Sequence, residues 1–124
     1  MSRSFALGGV GLEIRVKRVY EPPAPSDGAR VLVDRLWPRG ISKERAALDL
    51  WMPEIAPSHA LRKWFHETRI WEEFRMRYEA ELSGKDALLD RLRALADRGS
   101  LTLLFSARTV EENHANIIKE LLMK

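Results

Sequence analysis

Two separated groups of residues in this chain have side chains suited to holding an anion and moving a proton. Asp34, Arg35, Trp37 and Arg39 fall in VDRLWPRG, where an apolar run ends in an acid, a base and a Pro-Arg-Gly turn. Ser106, Arg108, Asn113 and His114 fall in FSARTVEENH, at the end of a second apolar run. Arg35, Arg39 and Arg108 offer fixed positive charge for a phosphate or carboxylate. Asp34 and His114 are the candidate proton-handling pair, because imidazole is the side chain that ordinarily changes charge near neutral pH. Trp37 adds a flat face for a ligand ring, and Ser106 and Asn113 add groups that orient a bound carbonyl or hydroxyl.

Each of these residues also has a purely structural reading. Asp34 paired with Arg39 or Arg108 is an ordinary rim or buried ion pair. Arg108 stands just before Thr109-Val-Glu-Glu112, a capping-box pattern. The free N–H groups of a helix starting there attract an anion, but Glu111 and Glu112 compete for the same place. His114 stands four and seven residues before Ile118 and Leu121, which on pattern alone favours a histidine bonded at the core margin. Asn113 orients a ligand or bonds a neighbouring loop. His59 and His66 are scattered along an aromatic-rich helix, so no metal site is expected. No GxGxxG, GxxxxGK or GxSxG occurs, so no cofactor is expected.

The elements that position these residues follow from periodicity. IRVKRVY (residues 14–20) alternates as a half-buried strand with a basic outer face, and EPPAPSDG after it is expected as an irregular connection or turn with little room for a helix. RVLVDRLW (residues 30–37) is expected as the central strand, stopped by Pro38 and redirected at Gly40. On a strand that long, Asp34 shares a face with Leu32 and Leu36 while Arg35 lies opposite, so a site using both must wrap over the sheet edge. Ser42 caps a helical turn through Ala47, and LDLWM alternates as a short strand.

Ser58 caps a short helix carrying Leu61, Trp64 and Phe65. The next helix, over residues 70–82, turns Trp71, Phe74 and Tyr78 inward and pairs Glu73 with Arg77 and Arg75 with Glu79 before Gly84 ends it. Residues 86–98 repeat the pattern with Leu88, Leu92 and Leu95 up to Gly99; SLTLLFSA is a buried strand, and a final helix runs from Thr109 with Ile118, Leu121 and Leu122 packed on the sheet.

The helices between the last two clear strands supply the crossover that a parallel pair needs, which makes the chain an α/β domain with a small, mainly parallel sheet flanked by helices in a three-layer sandwich. Parallel strands bring both polar groups to one carboxyl edge, where open α/β sheets place ligands. The first connection is too short for an ordinary crossover, so the first pairing is expected to be antiparallel or to carry one helical turn.

With 124 residues, a net charge of +3, 45% hydrophobic and 31% charged residues, the chain fits one globular domain over residues 13–124 behind a flexible lead-in over residues 1–12. It contains no cysteine, which removes disulfides and thiolate chemistry. No apolar run approaches the roughly 20 residues that cross a bilayer, so a cytoplasmic protein with no membrane partner is expected.

RVLVDRLWPRGISKERAALDLWMPEIAPS, LRKWF, WEEFRMRYEAEL and LTLLFSARTVEENHANIIKELL together resemble the YeaO-like branch of the domain-of-unknown-function 488 family, over residues 14–122. The resemblance implies that Asp34, Arg35, Trp37, Pro38, Arg39, Gly40, Asn113 and His114 are typical family positions, and they coincide with the two groups above. WFHETRIW departs from the family's Gly-His-Asp-Pro-like turn, so no role passes to His66. The family name implies no activity. Two functions stay open: a site, enzymatic or not, for a phosphate-bearing ligand such as a nucleotide, with Arg35, Arg39 and Arg108 on the anion; or a non-catalytic nucleic-acid or protein-binding module built on the basic surface.

Overall fold

Four strands form one parallel sheet: Ile14–Arg18 (β1), Ala29–Leu32 (β2), Leu50–Trp51 (β3) and Leu101–Phe105 (β4), in the order β1-β4-β2-β3. The helices are Lys43–Ala46 (α1), His59–Thr68 (α2), Trp71–Leu82 (α3), Asp86–Asp97 (α4) and His114–Leu122 (α5). The structure is a computed structural model that describes residues 13–124, so the lead-in expected over residues 1–12 lies outside the described residues. The small, parallel-sheeted α/β fold is the one the sequence pattern called for.

All five residues of β4 are buried, as a strand flanked on both sides and covered on both faces must be. Its alternate residues serve two cores. Leu101, Leu103 and Phe105 join the larger one, where Leu61, Tyr78, Leu92 and Ile117 bring in the four long helices; Leu104 joins a smaller one with Val19, Leu32, Ile41 and Ala46. The layers are therefore unequal, with four helices on one face and mainly α1 and its flanking loops on the other. Within α4, Leu89 and Ala96 are buried alongside Leu92, while Leu88 and Leu95 pack at the margin.

β1 and β2 are not partners, because β4 lies between them. The connection 19–28 makes no crossover between neighbours and needs only the single 3₁₀ turn Pro25–Asp27. That turn is held by charge. The Asp27 carboxylate, 4% exposed, takes Lys17 Nζ at 3.0 Å and Arg30 Nη1 at 2.5 Å. Burial works to raise the Asp27 pKa, but the bonds from Lys17, the Ala24 N–H and Arg30 outweigh it and hold the group below its usual 3.8. Gly28 follows at φ 64°, where a Cβ would lie 2.1 Å from the Ser100 carbonyl oxygen, so only glycine fits.

Two expectations need correction, and both corrections shape the site. β2 ends at Leu32, not at Trp37. The Val33 N–H still bonds the Leu104 carbonyl, but the Val33 carbonyl is taken by the His114 ring and the Asp34 carbonyl by the Trp51 indole N–H, so side chains replace the ladder. The last helix begins at His114, not at Thr109. Asn113 caps it, accepting from the Ala115 and Asn116 N–H groups while its amide donates to the Thr109 and Val110 carbonyls. A helix begun at Thr109 would run through Val110, Glu111 and Glu112, all exposed, with no core to meet.

Candidate functional site

Because β2 and β4 are parallel, Asp34 and Ser106 leave the sheet at the same edge and bond each other. The Asp34 carboxylate accepts from the Ser106 N–H at 2.9 Å and from its hydroxyl at 2.7 Å. The other carboxylate oxygen lies 3.4 Å from His114 Nε2. Residues far apart in sequence thus meet at one rim, as the parallel reading requires.

His114 Nε2 also sits 2.9 Å from the Val33 carbonyl oxygen. Both neighbours only accept, so Nε2 carries the proton and Nδ1 is the basic nitrogen of the neutral ring. Burial pushes the His114 pKa below its usual 6.5; the Asp34 carboxylate and the Val33 carbonyl pull it back up, and the Arg62 charge adds to the push. Tyr78, whose hydroxyl donates to the Ile55 carbonyl at 2.6 Å, meets the ring edge-on with centroids 5.9 Å apart. The Val33 carbonyl and the Asp34 carboxylate fix the orientation of the ring at Nε2, and Tyr78 of α3 packs against it.

These residues open onto a cavity of about 740 Å³ between the loops after β2 and β4 and the exposed face of α2. Arg35, Trp37 and Arg39 line it from the first loop, and Ser106, Asn113 and His114 from the second. With β2 cut short, Asp34 and Arg35 no longer look to opposite layers; both line the same space. Arg35 is partly engaged, since its Nη2 donates to the Ala56 and Pro57 carbonyls at 3.1 and 3.3 Å and fixes the entry to α2. Trp37 is pinned by its indole N–H on the Ile41 carbonyl and meets Trp51 edge-on. Arg39 is exposed, and the Tyr20 hydroxyl holds its carbonyl.

Arg108 is not among the lining residues. It is exposed and, with Asn113 as the cap of α5, no longer stands directly before a helix start.

The cations that do complete the wall come from α2, which the sequence reading treated as an aromatic packing helix. His59, Arg62, Lys63, His66 and Arg69 all line the cavity, so with His114 every histidine in the chain faces one space. Their spacing in HALRKWFHETR, three, four, seven and ten residues on from His59, is a helical-face signal that was present in the sequence. Among the described residues no group of three or more His, Asp or Glu side chains has a geometry that could hold a metal ion.

Against Arg35, Arg39, Arg62, Lys63 and Arg69 the lining has two carboxylates, Asp34 and Glu112. Among the described residues none of those five cations makes a salt bridge, whereas Arg75, Arg77 and Arg93 each do. Arg69 caps α2 in the left-handed region at φ 57°, a strained place for a residue with a side chain. Its guanidinium stands over the Phe65 ring, which with Trp71 and Phe74 makes the apolar part of the wall.

Fold and site together define a small α/β protein with an all-parallel sheet and a basic, aromatic-walled cavity at its carboxyl edge. The chain belongs to the DUF488 family: residues 13–124 match DUF488-N3i, described as the inactive DUF488-N3 subclade. It is similar to the uncharacterized protein YeaO of Escherichia coli K12, with 48% identity over 112 residues that cover 90% of this chain and 97% of that one. It is also similar to the uncharacterized protein Rv3073c of Mycobacterium tuberculosis, with 43% identity over 110 residues, 88% of this chain and 92% of that one. No solved structure matches. No helix among the described residues is long and apolar enough to cross a membrane.

Proposed function

We propose that the chain is a receptor for a phosphate-bearing ligand such as a nucleotide, held in the cavity between α2 and the loops after β2 and β4. The observation that carries this reading is the set of cations, Arg39, Arg62, Lys63 and Arg69, that line one open cavity and make no salt bridge among the described residues. Cations kept without counter-charges cost the fold self-repulsion, and an anionic ligand removes that cost. The volume of about 740 Å³ lies in the range typical of small-molecule pockets. Half-buried Trp37 and Phe65 supply ring faces for a base.

The site is better suited to holding than to turnover. Its one serine hydroxyl donates to the Asp34 carboxylate rather than to the imidazole, so no base activates it in the manner of a nucleophile. His114 Nδ1 serves as an acceptor for a ligand N–H or O–H, with Asp34 and Val33 fixing the tautomer. The matched family's description as inactive points the same way.

Thermal unfolding in the presence of nucleoside mono-, di- and triphosphates tests this reading. A ligand present at 100 times its dissociation constant stabilises by about 2.7 kcal/mol. The expected result is such a shift with at least one nucleotide, reduced in Arg39→Ala and Arg62→Ala. No stabilisation by any of them, or nor by inorganic phosphate, contradicts it.

A further inference from the structure

The basic groups of α2 are spread along the helix rather than gathered at one point. At a rise of about 1.5 Å per residue, His59 to Arg69 covers about 15 Å. One phosphate, or the compact phosphate group of a free nucleotide, meets one turn of that length. Glu67, the carboxylate within α2, does not line the cavity. Of the two carboxylates that do, Asp34 is already occupied by Ser106 and His114, and Glu112 stands on the loop before α5 and makes no salt bridge with the α2 cations among the described residues.

Resting on the phosphate-binding reading above, we propose that α2 is a phosphate ladder and that the ligand is a short single-stranded nucleic acid. Its backbone runs along His59, Arg62, Lys63, His66 and Arg69, and its bases turn toward the aromatic wall. Two features argue for nucleic acid over an acidic peptide. Trp37, Phe65 and Trp71 line the same cavity and are only partly buried, and ring faces of this kind stack on bases whatever their sequence. Arginine, which supplies Arg62 and Arg69 within the stripe, matches phosphate oxygens through its planar fork.

The test is fluorescence anisotropy of the full chain with labelled oligothymidylates of increasing length, each measured over a range of salt concentrations. Affinity should rise with length until the ladder is filled, with log K falling against log salt at a slope of about −2, equivalent to about three phosphates at −0.7 each. Arg62→Ala and Arg69→Ala should each flatten the slope by about 0.7. Arg91→Ala, an exposed α4 position outside the cavity, should leave it unchanged.

If thymidine monophosphate binds as tightly as the oligomers, the ladder is wrong while the phosphate site stands. If neither nucleotides nor oligomers bind, both readings fall. An equal loss in Arg91→Ala reduces the interaction to net charge and overturns the proposal, as does equal displacement by polyglutamate.

Discussion

β2 has an arginine at each end, and the two are treated in opposite ways. Arg30, at the start, is 4% exposed and gives its guanidinium to Asp27 and to the Ala46 and Ala47 carbonyls. Asp27 in turn takes Lys17, and its carbonyl takes the Thr102 hydroxyl, so the amino edge closes on itself. Arg35, just past the other end, reaches two carbonyls through Nη2 and leaves Nε buried with no partner. Around it stand four further cations with no salt bridge among the described residues. Charge at the amino edge is used up within the fold, whereas the four cations at the carboxyl edge have no salt-bridge partner among the described residues, which is the feature the proposed phosphate site rests on.

The largest effect that separates the two edges is expected from Asp27→Asn. Removing one partner of a buried network leaves Lys17 and Arg30 uncompensated and should cost about 3 to 5 kcal/mol in denaturant unfolding. Where the variant remains folded, its ligand affinity should be unchanged. In the other direction, Arg62→Ala should leave stability within about 0.5 kcal/mol of the parent and weaken phosphate-ligand binding by about tenfold, measured by calorimetry. A loss of stability in Arg62→Ala, or of binding in folded Asp27→Asn, would erase the distinction.

Arg69 sharpens the comparison because it bears on both quantities. Glycine is the preferred residue at a left-handed helix end, so Arg69→Gly should raise stability by about 1 kcal/mol while lowering affinity. Higher stability with lower affinity in one variant is the outcome that the proposed phosphate site predicts at this position.

The smallest effect concerns pH, and the two edges again differ. His114 has its pKa depressed by burial, so the unfolded chain binds more protons than the folded one below the usual 6.5. Stability should therefore fall as pH drops from 6.5 toward the folded value, and His114→Gln should flatten that slope. Asp27, also depressed, contributes stability that is fully present above 3.8 and lost as pH falls through its lower folded value. Asp27→Asn should remove acid sensitivity in this lower window only.

Local signals in the sequence carried much of this architecture. The Ser42 and Ser58 caps, the inward Phe74 and Tyr78 of α3, the buried run of β4 and the parallel edge that joins Asp34 to His114 are all as the pattern reads. The misreadings fall where distant side chains intervene. Nothing between Arg30 and Trp37 shows that His114 will take the Val33 carbonyl, so the strand is overextended. Thr109 and Asn113 are both good caps, and the choice between them depends on where the core ends, which a local pattern does not carry. The basic face of α2 was legible in its spacing but was masked by the aromatics that share the helix.

The central claim is that the unpaired cations of the carboxyl edge exist to meet phosphate. Calorimetric titration of the chain and of the double variant Arg62→Ala/Arg69→Ala with a phosphate ligand, nucleotide or oligothymidylate, tests it most directly. The expected result is saturable binding by the parent chain, weakening as salt rises, and loss of binding in a double variant that unfolds at the same denaturant concentration as the parent. Equal binding by parent and double variant, or heat of dilution alone in both, would contradict it.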